Sequence, residues 1–150
     1  MIDSIPPHGA KPIQLLLVDD DDGDAKAVQR SFRKAKIANE MHRVTDGPAA
    51  LVYLRNKAQI DPGTPCILLV DINMPMMSGH ELISEIRRDP ALHKLIVFML
   101  TTSKDPADIS AAYGNHVAGY VVKDRAGDDF LELTTMLERY WRVVEMPEVR

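Results

Sequence analysis

The chain has 150 residues, of which 45% are hydrophobic and 27% are charged, and it carries a formal net charge of −4 and a single cysteine. This length suits one domain, and it is enough to bury a core without disulfides or a structural metal. The acidic balance argues against a nucleic-acid-binding protein. The lone cysteine excludes an internal disulfide. The sequence has no long apolar run and no signal peptide, which predicts a cytoplasmic protein with no membrane contact.

The predicted elements begin after residues 1–12, which contain three prolines and little pattern, and which we expect to form a flexible N-terminal leader. Five short apolar runs follow, and the longest are aliphatic at almost every position. Runs of this kind are typical of strands that are buried on both faces of a parallel sheet. The predicted strands span residues 13–18, 40–44, 66–70, 95–100 and 119–122.

Helical patterns alternate with these strands. The first places Val28 and Phe32 on an apolar face and basic residues around the rest. Five βα repeats predict an α/β fold of the flavodoxin-like class, a doubly wound five-stranded parallel sheet in the order 2-1-3-4-5 with five helices. The predicted domain spans residues 13–142, and residues 143–150 form a C-terminal tail. The later helices are predicted at residues 49–55, 79–88, 105–113 and 128–142.

Polar side chains follow four of the predicted strands, at the point where each strand ends. In an open α/β sheet, ligands bind outside the carboxyl ends of the strands, where the strand order reverses. We therefore expect carboxylates, hydroxyls and one ammonium group to meet at one edge of the sheet. They are Asp19–Asp22 after the first strand, Asp71 after the third, Thr101–Ser103 after the fourth and Lys123 after the fifth.

Carboxylates that meet at one point repel each other and need a cation, and a shallow oxygen site that keeps several waters suits Mg²⁺. Beside such a metal, Asp71 can attack a phosphoryl donor in line and form an aspartyl phosphate. Lys123 would then pair with one phosphoryl oxygen, and the Thr101 hydroxyl would donate to another. The four aspartates also suit a helix start, so we expect Asp21 or Asp22 to cap the first helix.

Four sequence strings carry a resemblance to a known family. They are Leu-Leu-Val-Asp-Asp at 16–20, Asp-Ile-Asn-Met-Pro at 71–75, Leu-Thr-Thr at 100–102 and Gly-Tyr-Val-Val-Lys at 119–123. Over residues 13–142 the chain resembles the CheY-like receiver domains of bacterial response regulators. The resemblance implies a phosphorelay protein in which Asp71 accepts a phosphoryl group from a sensor histidine kinase. Phosphorylation would switch the protein's interactions with other proteins, and the protein would slowly hydrolyse the phosphoryl group by its own chemistry.

The same resemblance implies roles for the surrounding residues. Asp20 would bind Mg²⁺ directly, Asp19 mainly through water and Asn73 through its backbone carbonyl, together with Asp71. Thr101 and Tyr120 would form a switch pair, and Lys123 would contact the phosphoryl group.

Finer features resemble the stand-alone regulators that serve phytochrome-type histidine kinases. Lys123 is not followed by proline, and the last helix contains a tryptophan and leads into a short tail with Pro147. Such regulators are dimeric, which implies a homodimer through the fourth helix, the fifth strand and the fifth helix. Leu131 and Met136 fall outside the inward face of the last helix and would contribute to it, unless the tail folds back over them.

Three other functions compete with this interpretation. A phosphatase of the haloacid dehalogenase class needs a second acid two residues after its aspartate nucleophile, where this chain has Asn73. A flavin-carrying electron-transfer protein needs hydroxyls and glycines after the first strand, where this chain has aspartates. A degenerate receiver that acts only as an interaction module would not need the complete set of acids with Thr101 and Lys123.

Three local features allow predictions of their own. The Lys123–Asp124 peptide bond should be trans, because a cis bond before a residue other than proline costs about 2.5–4 kcal/mol, unless strong packing holds it cis. Cys66 should be a small buried hydrophobe rather than a reactive thiol. The basic face of the first helix is either simply solvated or docks an acidic kinase surface.

Overall fold

The strands form one parallel sheet in the order β2-β1-β3-β4-β5, as the sequence predicts. This computed structural model describes residues 13–35, 37 and 39–149, so the predicted leader, residues 1–12, lies outside the described residues. The strands are β1 (Gln14–Val18), β2 (Met41–Val44), β3 (Cys66–Val70), β4 (Ile96–Thr101) and β5 (Gly119–Val122).

The central strand β3 explains why its sequence is aliphatic at every position. All five of its residues are buried. Ile67 and Leu69 pack on one face of the sheet, and Cys66, Leu68 and Val70 pack on the other. Because helices cover both faces, neither face of the strand can carry polar side chains.

The first four helices begin at side-chain caps that the sequence supplies. Asp21 accepts a hydrogen bond from the Asp24 amide at the start of the first helix, which confirms its predicted capping role. Asp46, Ser78 and Asp105 cap the next three helices in the same way. The helices are α1 (Asp22–Lys34), α2 (Gly47–Ile60), α3 (Gly79–Arg88), α4 (Pro106–Gly114) and α5 (Leu131–Val143).

Two helices differ from their predicted ranges by more than one residue. The α2 helix begins at Gly47, directly after its Asp46 cap, and continues to Ile60, beyond the predicted 49–55. At its end the buried Lys57 ammonium donates to the Asp61 carbonyl at 3.0 Å. The α5 helix begins only at Leu131, because Asp129 and Phe130 have left-handed φ angles of 52° and 61°, which a right-handed helix does not allow.

The tail crosses from one helical layer to the other. Met146 packs against the cluster beneath α1 and α5, and Val149 is buried in the opposite cluster, beneath α2 and α3. The Val149 amide donates to the Pro62 carbonyl at 3.0 Å. The tail therefore does fold back onto the domain, but Leu131 and Met136 stay exposed. No helix in the described part of the chain has both the length and the apolar composition that a bilayer crossing requires.

Cys66 lies in the core beside α2, with a relative exposure of 2%. Burial in apolar surroundings raises the pKa of its thiol to about 12. Because the thiolate is the reactive form of cysteine, this environment makes Cys66 inert at neutral pH. The prediction of a small buried hydrophobe is confirmed.

Candidate functional site

Parallel register brings the carboxyl ends of the strands to one edge of the sheet. Val18 at the end of β1 pairs with Val70 at the end of β3, so the acids that follow the two strands become neighbours. Asp19, Asp20 and Asp71 each offer a carboxylate oxygen, and these oxygens lie within 4.8 Å of one another. The three acids that the sequence assigns to a metal are therefore brought together.

Asp19 is the most deeply buried member of this acidic cluster, with a relative exposure of 1%. Its Oδ1 accepts a hydrogen bond from the Asp21 amide at 2.9 Å, and its Oδ2 accepts one from the Lys123 ammonium at 2.9 Å. Burial raises the pKa of Asp19 above its ordinary value, although both hydrogen bonds oppose the rise. A cation at this position would relieve the cost of burying the carboxylate. Asp20, in contrast, is exposed.

Lys123 connects three carboxylates that come from different elements. Its Nζ lies 2.7 Å from Asp24, 2.9 Å from Asp19 and 3.0 Å from Asp71, and its side chain is only 8% exposed. Burial alone would lower the pKa of this lysine, but the hydrogen bonds to Asp24 and Asp19 and the charges of Asp19 and Asp71 raise it. The site therefore holds a protonated ammonium at neutral pH.

The loop after β3 folds tightly over the backbone of Asp71. The Ile72 amide donates to Asp71 Oδ1 at 2.7 Å, and the Gly79 amide donates to the Ile72 carbonyl at 2.8 Å. A Cβ atom at Gly79 would lie 2.2 Å from the Asp71 carbonyl oxygen, so only glycine fits there. Asn73 lies exposed in this loop, two residues beyond Asp71.

Thr101 and Tyr120 meet through the backbone of Ser103. Thr101 is completely buried, and its Oγ1 accepts a long hydrogen bond of 3.4 Å from the Ser103 amide. The Tyr120 hydroxyl donates to the Ser103 carbonyl at 2.9 Å. The predicted switch pair is thus joined by the loop between β4 and α4.

A hydrogen-bonded triad at this loop was not predicted. The Ser103 hydroxyl donates to Asp108 Oδ2, and His80 Nε2 lies 3.0 Å from Asp108 Oδ1. We call Ser103, Asp108 and His80 the loop latch, because they tie the loop to α4 and α3. His80 shows no sequence signal, because its partner lies 28 residues away on a different helix.

Two further residues at the acidic edge were also missed. Arg43 on β2 donates to the Asp19 backbone carbonyl from Nε at 3.0 Å and from Nη2 at 2.9 Å, and it pairs with Asp22 at 2.7 Å. Asp24 contacts Lys123, as described above. One signal could have indicated Asp24, since it lies one turn before Val28 on the inward side of α1.

The Lys123–Asp124 peptide bond is trans, as predicted. The chain continues into a 3₁₀ turn from Lys123 to Arg125, and Asp124 points outward to an ion pair with Lys104 at 2.8 Å. With this trans bond the Lys123 ammonium stays in contact with Asp19 and Asp71.

Known proteins resemble this chain in both sequence and structure. The profile of a family described as "Response regulator receiver domain" matches residues 15–135. A probable methanogenesis regulatory protein, FilR2 of Methanothrix harundinacea, is 33% identical over 130 residues, which cover 87% of this chain and 84% of that protein. Response regulator Rcp1 of Synechocystis sp. is 32% identical over 131 residues, which cover 87% of this chain and 89% of Rcp1.

Solved structures give the same picture. The Mn²⁺-bound form of response regulator Rcp1 matches with a TM-score of 0.75 and 31% identity, covering 89% of this chain and 98% of that one. The phosphorylated cyanobacterial phytochrome response regulator RcpA matches with a TM-score of 0.78 and 28% identity, covering 90% of this chain and 98% of that one.

Proposed function

The chain belongs to the response regulator receiver family, and from this premise we propose that it is a phosphorylation switch in which Asp71 is the phospho-acceptor. The observation that carries the proposal is the position of Asp71. Its Oδ2 lies 3.0 Å from the Lys123 ammonium, and its carboxylate belongs to a cluster with Asp19 and Asp20. Receivers of this family act with sensor histidine kinases, which makes a phosphorylated histidine the donor.

In the proposed reaction an Asp71 carboxylate oxygen attacks the phosphorus atom in line. The new O–P bond forms as the P–N bond to the donor histidine breaks, and the imidazole leaves with the electron pair and takes up a proton. Lys123 neutralises charge on a phosphoryl oxygen, and the Thr101 hydroxyl donates to another. In a separate, slow step, water attacks the phosphorus atom and the P–O bond to Asp71 breaks. Inorganic phosphate leaves and the Asp71 carboxylate is restored, so we propose a phospho-acceptor that dephosphorylates itself rather than a dedicated enzyme.

The residues at this edge fit a divalent cation, because three carboxylate oxygens lie within 4.8 Å of one another. We assign the site to Mg²⁺, held by Asp19, Asp20, Asp71 and the backbone carbonyl of Asn73. When bound, the metal neutralises the charge that develops on the transferring phosphoryl group. The related Rcp1 structure with bound Mn²⁺ supports a divalent-ion site.

Phosphorylation of Asp71 changes the protein surface through Thr101 and Tyr120. When the buried Thr101 hydroxyl turns toward a phosphoryl oxygen, its 3.4 Å hydrogen bond from the Ser103 amide is lost. The loop that also anchors the Tyr120 hydroxyl is then free to rearrange. Phosphorylation thereby favours a second state of the surface formed by α4, β5 and α5.

We assign the partners from the relatives and the exposed surface. The phytochrome response regulator RcpA supports a phytochrome-type kinase as the donor. We propose that the protein meets such a kinase in the cytoplasm. The exposed apolar side chains of Tyr113 on α4 and of Leu131 and Met136 on α5 support a homodimer through this face. The basic residues on the exposed side of α1 would supply a surface that is complementary in charge to an acidic surface of the kinase.

Phosphorylation by a small donor tests the proposal directly. Incubation with Mg²⁺ and phosphoramidate should add one phosphoryl group per chain, visible in the intact mass and lost in alkali. The variant Asp71→Asn should gain none, and the parent should gain none in excess EDTA. Equal incorporation by Asp71→Asn would show that Asp71 is not the acceptor.

A further inference from the structure

The carboxylate of Asp24 contacts the Lys123 ammonium of the proposed site without belonging to the acidic cluster of Asp19, Asp20 and Asp71. We propose that Asp24 is a positioning residue that competes with the phosphoryl group for the Lys123 ammonium and so limits how strongly the phosphorylated state is held. The inference rests on the proposed function and adds an opposing residue to it.

The argument begins with the hydrogen bonds that Lys123 can make. An ammonium group has three N–H donors and no acceptor. Asp24, Asp19 and Asp71 take all three, and the contact with Asp24 is the shortest at 2.7 Å. A phosphoryl oxygen can therefore receive a hydrogen bond from Lys123 only if one carboxylate gives up its own.

Burial decides which carboxylate is released. The Asp19 side chain is 2% exposed, so separation from the lysine would leave a buried charge without its cation. Asp71 carries the phosphoryl group itself and stays beside the lysine. The Asp24 side chain is 34% exposed, so water can replace the ammonium there. Asp24 also lies in the first turn of α1, where the helix dipole stabilises a carboxylate.

The exchange has a consequence for the balance of the two states. The Asp24–Lys123 pair stabilises the unphosphorylated protein and is lost when the phosphoryl group binds. Replacement of Asp24 by asparagine should therefore strengthen the binding of a phosphoryl mimic, because the competitor for the lysine is gone. Partly exposed ion pairs of this kind correspond to a change of roughly two- to fivefold in an equilibrium constant.

The chain offers a matched control for the change in charge. Asp22 lies in the same helical turn, carries the same charge and pairs with Arg43 at 2.7 Å rather than with Lys123. Asp22→Asn thus removes the same charge without touching the competition. Asp24→Glu, which restores a carboxylate that can reach the lysine, should return the affinity toward the parent value.

The experiment is a calorimetric titration of beryllium fluoride, a phosphoryl mimic, into the full chain at saturating Mg²⁺. We expect the Kd for beryllium fluoride to fall about two- to fivefold in Asp24→Asn and to change by a smaller factor in Asp22→Asn. Magnesium affinity is measured separately for each variant, so that a metal effect is not mistaken for competition. A Kd in Asp24→Asn that is unchanged, raised, or lowered no more than in Asp22→Asn would overturn the inference.

Two further outcomes separate this inference from the proposed function. If the parent binds no beryllium fluoride, or if Asp71→Asn binds it equally well, the proposed function fails and the inference fails with it. If the parent binds normally, a crystal structure of the complex should show Lys123 Nζ released from Asp24 and still in contact with Asp19. Retention of the Asp24 contact in that complex would overturn the inference alone.

Discussion

Lys123 and Lys57 are both buried lysines with very different surroundings. Lys123 follows the carboxyl end of β5, whereas Lys57 on α2 lines a cavity with Gln14, the residue at the amino end of β1. The Lys123 side chain is 8% exposed and contacts three carboxylates, from partners that are 52, 99 and 104 residues away. The Lys57 side chain is 5% exposed, yet its partners all belong to Asp61, four residues away, with the carbonyl at 3.0 Å and the carboxylate at 3.7 Å.

The difference teaches what makes a buried charge functional. Among the described residues, the Lys57 ammonium has its hydrogen bond and its ion pair with Asp61 at the end of its own helix, so its role is local. Lys123 holds charges from β1, α1 and the end of β3 at one point, which requires the whole sheet to be folded. Burial of a lysine is therefore a poor indicator of a site, whereas the sequence separation of its partners is a good one.

The largest effect should come from replacing Lys123 with methionine. Removal of the ammonium leaves buried carboxylates without their cation, so the free energy of unfolding should fall by about 3–5 kcal/mol in EDTA. Added Mg²⁺ should restore part of this loss in the variant, because the metal supplies the missing positive charge. Urea denaturation with EDTA and with Mg²⁺ measures both effects. A loss of unfolding free energy below about 1 kcal/mol in EDTA, which is the range of solvent-exposed ion pairs, would show that Lys123 does not differ from Lys57 in this way.

The opposite edge should depend on apolar packing rather than charge. Val149, which the tail buries near α2, is 1% exposed. Val149→Ala removes two methyl groups from this contact and should lower the free energy of unfolding by about 1.6 kcal/mol, equally with EDTA and with Mg²⁺. The same denaturation series checks this. Phosphoryl uptake by Asp71 should remain at the parent rate, and a loss of uptake would mean that the two edges are coupled.

The loop latch offers a smaller test at the site edge. Asp108→Asn should weaken the hydrogen bonds to Ser103 and His80, and it should cost about 1 kcal/mol of unfolding free energy. Hydrogen bonds from Ser103 and His80 also lower the pKa of Asp108 below its ordinary value. Its stabilising contribution is therefore present above the unfolded-state pKa of about 3.9 and is lost as the pH falls through the lower folded value. The parent and the variant should thus converge in stability at acid pH, and a gap that persists there would contradict the assignment.

The smallest effect should come from replacing Lys57 with methionine. Its ion pair is local and partly exposed on the Asp61 side, and methionine fills a similar volume, so the free energy of unfolding should change by less than about 1 kcal/mol. Thermal unfolding is the measurement, with Lys123→Met as the contrasting variant. Equal losses in the two variants would show that the number and origin of partners do not distinguish the two lysines.

The strands and their polar ends could be predicted because each apolar run stops abruptly at a residue of chemical interest. Val18 leads straight into Asp19, and Val70 leads straight into Asp71. Since parallel strands bring their carboxyl ends to one edge, local sequence was enough to place these acids together. The positions of Thr101 and Lys123 follow from the same rule.

Other features depend on geometry that local sequence does not carry. The late start of α5 results from positive φ angles at Asp129 and Phe130, which are not glycines. The contact of Asp24 with Lys123 depends on how α1 is rotated against the sheet, and the destination of Val149 depends on where the tail crosses the sheet. These relations appear only when elements distant in the sequence pack together.

The lone buried cysteine allows the rate at which the core opens to be measured. With a thiol pKa of about 12, Cys66 has almost no thiolate at pH 8 while the core is closed. Alkylation by a small reagent must therefore wait for an opening event, and at high reagent concentration its rate becomes the rate of opening itself. Cys66 is the only cysteine in the sequence, so the rate of its alkylation reports how often the centre of the sheet is exposed to water.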